Sequence, residues 1–382
     1  MICIDITEMI KVNYISGIQR VVKEITLRWI EKGVDMTLLY YDPGRKWFWV
    51  VDLTKYYSYY TGKLKQKKLL TRKKMKIDEF GQKHIFFDMD SVWMSPLKRS
   101  WLFPVLRKQG VQIAVHIYDV IPITEPFYCH EFTTICFMEY LGAQLKYADL
   151  IISNAQATVY ALNKIIEQTE VQRINAKVVK LGSDLKQYTY ENEVRERIKK
   201  IAQAGKYVLM VGTVEPRKNH KFVLESFEQK LFQDDVNLVF VGRMGWNIET
   251  WAASVKRHKQ LNKKLFWIED AVDAEIAFLY ENALVVAFPS YNEGFGLSIV
   301  EAINKGALVL SSDIPVLREA GGEYCKYFSL DNKEEFETLV QYYNSNSAEW
   351  NRDKEKLKQY TAYSWDECAT DILSSLYTGL GI

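Results

Sequence analysis

The stretch ALVVAFPSYNEGFGLSIVEAINKG, residues 283–306, sets the reading of the whole chain. Residues 284–288 form an apolar run of strand length, PSYNEGFG is a sharp turn, and LSIVEAINKG has helical spacing. Glycines 294 and 296 let the backbone approach a ligand closely. A strand that runs through a glycine turn into a helix is the repeating unit of a parallel α/β sheet, and such sheets bind ligands beyond the carboxyl ends of their strands. Two carboxylates, Glu293 and Glu301, flank this turn. Helix starts attract anions, yet a carboxylate repels a nearby phosphate unless something bridges them. A carboxylate does suit a diol, because its two oxygens accept bonds from neighbouring hydroxyls.

The partner signal is VGTVEPRKNH, residues 211–220. A strand ends at Gly212, followed by Thr213, the cations Arg217 and Lys218, and a helix start near Asn219. Two cations beside a helix N-terminus make a cradle for a diphosphate. Taken together, the two stretches predict an anion flanked by polyols, which is a nucleotide sugar.

Outward from these motifs, short apolar runs alternate with helical patterns. ICIDI, MTLLYY, HIFFD, VQIAVHIYD, LIIS and KVVKLG come first. After a charged stretch at residues 183–206, read as a linker, come YVLMVG, VNLVFVG, KLFWI, ALVVAFPS, ALVLSS and YCKYF. We therefore expect an α/β protein of two Rossmann-like domains with parallel sheets, residues 1–185 and 186–362. Residues 363–382 form a closing helix with Ser364 or Asp366 as its N-cap. A length of 382 residues agrees with two domains.

Composition excludes several classes. The 50 basic and 48 acidic residues leave a net charge of +2, which gives no global pull toward nucleic acid or membrane. The five cysteines include no C-x-x-C pair, which argues against a disulfide framework or zinc site and for a reducing cytoplasm. No window approaches a membrane span, and the N-terminus lacks the pattern of a secretion signal. No strand is followed by G-x-G-x-x-G, so a hydride-transferring dehydrogenase is disfavoured. One region departs from the balance: residues 63–76, KLKQKKLLTRKKMK, hold eight basic side chains and no acid. It is either a solvated loop between strands or a patch that meets anionic lipid.

In the first half, Asp119 ends the strand VQIAVHIYD, where it either contacts a ligand or caps a turn. Alternation aims His116 to the same side as Tyr118, where it reads as a core histidine. Asp88 and Asp90, in the triplet DMD, sit at a spacing that can hold a divalent metal. A diphosphate neutralised by Arg217 and Lys218 has no need of one, so Asp88 and Asp90 are expected at a cleft edge on the acceptor side. Metal is not expected.

Glu293 and Glu301 with EGFGLSIVEA resemble the E-x7-E motif of the family 4 retaining glycosyltransferases, and VGTVEPRKNH resembles that family's diphosphate-binding loop. YISGIQRVVKEI and YDVIPITEP are similar to segments of bacterial polysaccharide mannosyltransferases. The resemblance implies a GT-B fold, two facing Rossmann-like domains with a cleft between them, and a final helix that packs back on the first. It further implies that Glu301 binds the ribose, that Glu293 binds the hydroxyls of the transferred sugar, and that Arg217 and Lys218 bind the diphosphate. Gly212, Thr213, Gly294, Phe295, Gly296 and Leu297 would shape the donor loop, and Gly17 would face the same phosphate. Glu293 and Asp119 would be the catalytic pair. Many relatives carry a histidine before this aspartate, whereas this chain has Tyr118, which is expected on the acceptor side.

The expected activity is transfer of a hexose, mannose from GDP-mannose, to a hydroxyl of a lipid-linked or oligosaccharide acceptor. The anomeric configuration would be retained, no cofactor is expected beyond the nucleotide sugar, and the setting would be cytoplasmic or peripheral on the inner membrane face. A sugar-nucleotide epimerase of the same fold and a non-catalytic partner subunit remain the alternatives.

Overall fold

The computed structural model describes residues 1–12, 15, 17–169, 174–184 and 194–381. The chain divides into two compact units, one made of Met1–Pro126, Glu131–Gly182 and Tyr363–Ile382, the other of Phe127–His130 and Ser183–Ala362.

Among the described residues the first unit is built on eight strands: β1 (Ile2–Asp5), β2 (Met36–Asp42), β3 (Trp47–Val51), β4 (Leu70–Met75), β5 (Ile85–Asp88), β6 (Gln112–Ile117), β7 (Leu150–Ser153) and β8 (Ala176–Val178). Their spatial order is β4-β3-β2-β1-β5-β6-β7-β8. From β2 to β8 the strands run parallel, and β3 and β4 add an antiparallel extension at one edge. Every residue of β1, β5 and β7 is buried, as expected of strands covered on both faces. The helix Gly17–Glu31 covers one face with Val21, Val22, Ile25 and Trp29, and Trp29 packs on Phe87 at 6.1 Å.

The helix Trp365–Leu380 belongs to this unit. Ser364 caps it, its Oγ accepting from the Glu367 N–H while the Glu367 carboxylate accepts from the Ser364 N–H. Trp29 Nε1 donates to the Ala369 carbonyl (2.9 Å) and Gln112 Nε2 to that of Leu380 (2.9 Å), which tie the end of the chain to this sheet.

The reading of residues 63–76 as a loop is corrected in part: Leu70–Met75 is β4, which among the described residues is an edge strand paired with β3. Its solvent-facing charges hide the alternation that betrays a strand, because only Met75 is buried. Of the expected linker, residues 185–193 lie outside the described residues, and Glu196–Gln203 is a helix.

Among the described residues the second unit carries six parallel strands: β9 (Tyr207–Val211), β10 (Asn237–Val241), β11 (Leu265–Ile268), β12 (Val285–Phe288), β13 (Val309–Ser312) and β14 (Cys325–Phe328). They lie in the order β11-β10-β9-β12-β13-β14. The chain thus starts at the centre, winds outward to β11, then returns to lay β12 on the other side of β9. That reversal opens a crevice beyond the carboxyl ends of β9 and β12, the place where doubly wound sheets bind nucleotides.

Candidate functional site

Both signature stretches meet at this switch point in the second unit. Beyond β9 the chain turns at Gly212 (φ 144°) and passes through Glu215 into a 3-10 turn at Pro216–Lys218. It then enters the helix His220–Gln229 through Asn219 in the left-handed conformation (φ 57°). Beyond β12 it turns through Gly296 (φ 97°), which precedes the helix Leu297–Asn304. A side chain at Gly296 would be strained by that φ, and its Cβ would lie 3.0 Å from Leu317 Cδ2. The Tyr291 N–H donates to the Arg217 carbonyl at 2.9 Å, which fastens one loop to the other.

Glu293 is the hub. One carboxylate oxygen lies 2.6 Å from Lys218 Nζ and the other 2.7 Å from the Arg217 guanidinium, and Ser290 Oγ donates to it at 2.8 Å. Arg217 also donates to the Glu215 carboxylate and the Asn292 carbonyl. Glu215 is 3% exposed, so the site holds two carboxylates and two cations largely out of water. Such a cluster persists only because each charge has a partner. Burial alone would raise the Glu293 pKa, but Arg217 and Lys218 overcome it and hold the carboxyl at about 2. For Glu215, burial outweighs the pull of the same cations, and its pKa is raised.

These two shifts act oppositely on acid stability. Since Glu293 titrates in the folded chain below the 4.5 of an ordinary glutamate, its contribution is complete above pH 4.5 and is lost as pH falls toward 2. Glu215 disfavours the folded state when charged and relieves that cost on protonation. Glu293→Gln removes the first effect and leaves the burial that drives the second, so the fall in urea midpoint below pH 4.5 is expected to flatten in the variant. An acid limb as steep as the parent's would reject the assigned coupling.

The other expected donor residues gather on the same loops. Thr213 is exposed, Phe295 is buried, and Gly294 and Leu297 are half-buried. Glu301, 4% exposed, lies on the helix that follows the turn. Sequence reasoning assigned no role to Glu215, Ser290 or Asn292. Glu215 stood inside the quoted motif, whereas nothing in local spacing marks Ser290 as the donor to Glu293.

In the first unit, Asp119 Oδ1 accepts from the Ile121 N–H at 3.0 Å, the turn-capping arrangement. Gly17 is the exposed first residue of its helix, with open space where a side chain would be. Tyr118 donates its hydroxyl to the Met89 carbonyl (2.7 Å) and stacks on His116 at 4.2 Å. Burial pushes the His116 imidazole down to about 3, so the ring is neutral at physiological pH.

The expectation of Asp88 and Asp90 at a cleft edge is corrected. Asp88 is fully buried and takes a two-pronged contact from Arg99, Nε to Oδ2 at 3.0 Å and Nη2 to Oδ1 at 2.7 Å. The same Nη2 lies 2.9 Å from Asp5 Oδ2. β1 and β5 are neighbours, so the carboxylates that end them face each other, and a cation between them removes the repulsion. Asp90 is 1% exposed and accepts from the N–H groups of Met9 and Ser91, both at 2.8 Å. Burial raises its carboxyl to about 7.

Residues 191–362 match the family described as Glycosyl transferases group 1. Over 349 residues, 85% of this chain and 39% of the relative, the chain is 28% identical to the serotype-specific mannosyltransferase WbdA of Escherichia coli. It is 29% identical to the O-antigen chain mannosyltransferase RfbU of Salmonella typhimurium over 136 residues, 35% of this chain and 37% of the relative. The chain therefore spans about two fifths of the length of these curated relatives. Among solved structures, sucrose-phosphate synthase of Thermosynechococcus elongatus superposes with a TM-score of 0.68 at 16% identity, covering 100% of this chain and 98% of that one. Anabaena HepE in complex with UDP and glucose gives 0.67 at 13% identity, with 99% of each chain covered. The fold is GT-B.

Proposed function

We propose, from the match of residues 191–362 to the group 1 glycosyl transferases, that this protein moves a hexose from a nucleotide diphospho-sugar to a hydroxyl of a growing surface polysaccharide. The donor in this reading is GDP-mannose, the acceptor is a lipid-linked or oligosaccharide intermediate, and the anomeric configuration is retained. One observation carries the reading: Arg217 and Lys218 each lie within hydrogen-bonding distance of the Glu293 carboxylate beyond the carboxyl ends of β9 and β12 in the second unit. The names of two relatives, a serotype-specific mannosyltransferase and an O-antigen chain mannosyltransferase, support the choice of sugar.

The roles follow from charge. A donor diphosphate competes with Glu293 for Arg217 and Lys218, and its displacement turns the carboxylate toward the sugar hydroxyls. The backbone N–H groups at the start of helix Leu297–Asn304 add donors at the same anion. Glu301, on the first turns of that helix, takes the ribose diol. As the glycosidic bond breaks, negative charge grows on the leaving diphosphate, and cations already in place stabilise it without reorganisation. The two side-chain charges neutralise the leaving group, so a resident metal is not required in this scheme. The first-unit roles, acceptor contact by Asp119 and phosphate contact by Gly17, belong to the same proposal.

Thermal denaturation with a panel of nucleotide sugars tests the donor. A ligand at about a hundredfold excess over its Kd adds ~2.7 kcal/mol to apparent stability. GDP-mannose and GDP are expected to raise the Tm, UDP-sugars to do so weakly, and Glu301→Ala to abolish the rise. No response to any nucleotide would sink the site assignment. Product analysis separates the rival chemistry, because an epimerase converts its donor in the absence of any acceptor.

A further inference from the structure

The antiparallel edge of the first unit carries a charge distribution unlike the rest of the chain. Residues 43–76 hold eleven basic side chains and one acid, Asp52, in a protein whose net charge is +2. Asp52 is occupied in capping the helix Leu53–Tyr60, where it accepts from the Lys55 N–H. Among the described residues, no carboxylate pairs with Lys63, Lys65, Lys68, Arg72, Lys73 or Lys74, and all six are exposed.

The pleat explains how this surface is made. Phe48 pairs with Met75 and both are buried, while Trp49 pairs with Lys74 on the opposite face. Trp47 and Trp49 meet edge to face at 5.5 Å. The Arg45 guanidinium lies 5.5 Å from the Trp47 ring and 5.9 Å from that of Trp49, and Lys74 Nζ lies 4.7 Å from Trp47. Exposed Leu70 stands on the same edge strand. The result is a cationic face with half-buried indoles and an apolar side chain on its rim.

We infer that this β3–β4 edge is a docking surface for an anionic lipid bilayer. The inference is independent of the sugar-transfer reading. Guarding a sheet edge against strand addition accounts for Arg72, Lys73 and Lys74 on β4 itself, but not for exposed Lys63, Lys65 and Lys68 in the segment before it. Single-stranded nucleic acid would need open aromatic faces to stack on, but the indole faces here are already covered by Arg45 and Lys74. Tryptophan with long cationic side chains suits the headgroup layer, where the ring sits at the boundary and the cation reaches phosphate. No helix among the described residues is long and apolar enough to cross a membrane, so attachment through this face is peripheral. Lys67 is excluded from the contact: its ammonium turns inward to the carbonyls of Met9 and Val12.

Cosedimentation of the full chain with vesicles tests this. Binding is expected to vesicles of phosphatidylcholine mixed with phosphatidylglycerol, not to phosphatidylcholine alone, and to be stripped by high salt. The combined variant Lys68→Gln, Arg72→Gln, Lys73→Gln and Lys74→Gln is expected to lose at least ~tenfold in partitioning. Its folding is checked by circular dichroism. If it does not fold, Lys63→Gln with Lys65→Gln, outside the strand, replaces it and is expected to lose several-fold. A folded variant that partitions like the parent overturns the inference, as does equal binding to neutral vesicles. Retention of the parent by RNA but not by anionic vesicles assigns the surface to nucleic acid and overturns it equally.

Discussion

Replacing Lys218 by alanine is expected to lower the kcat of sugar transfer by ~10²–10³-fold with little change in the fold, the range seen when one preorganised electrostatic donor is removed. Lys218 Nζ is one of two cations on Glu293, and its side chain is only 17% exposed, so water does not replace it well. Two losses combine. The leaving diphosphate forfeits a positive charge where its own negative charge grows, and before the donor arrives Glu293 loses one of the two cations that hold its carboxyl low. Lys218→Arg preserves charge but not shape, since a planar fork does not fit a point contact, and is expected to recover only part of the rate. Single-turnover kinetics with labelled donor read the effect directly. A variant with unchanged kcat would remove Lys218 from the chemistry and with it the proposed role of the cluster.

Arg99→Met is expected to cost the first unit ~3–5 kcal/mol, the penalty for removing one partner from a buried ion pair. The guanidinium is 1% exposed and bridges Asp5 and Asp88, both fully buried. Without it, two carboxylates face each other out of water. The pH dependence distinguishes this from a simple packing loss. In the variant both acids would be driven to protonate, so its deficit relative to the parent should shrink as pH falls. Asp88→Asn in the Arg99→Met background removes one of the charges and is expected to recover part of the loss. Urea titrations at several pH values measure both. A deficit that is small or independent of pH would mean that the triad is not the electrostatic element its geometry suggests.

The parts of the chain that could be read in advance share a physical property: their signals are local. The alternation of short apolar runs with helical patterns gives the parallel part of both sheets because a strand buried on both faces is apolar along most of its length. The closing helix announces itself in its helical spacing behind Ser364, and the structure adds Glu367 as the second half of the cap. The turn at Gly296 is legible because its φ of 97° admits few residues besides glycine. The charged strand β4 was missed for the converse reason, since an edge strand facing water carries little apolar signal.

What the amino-acid order settled by itself was therefore the α/β class and the identity of the charged groups at the two strand ends, Arg217 and Lys218 on one and Glu293 and Glu301 on the other. Only the tertiary structure decided which of them touch. Winding outward from β9 and back to β12 brings Arg217 against Glu293 across the switch point. The adjacency of β1 and β5 turns Asp88 from a cleft-edge candidate into one arm of a buried ion triad. Coulomb interactions and burial depend on distance in space, and residues far apart in the chain acquire that distance only when the sheet order brings their strands side by side.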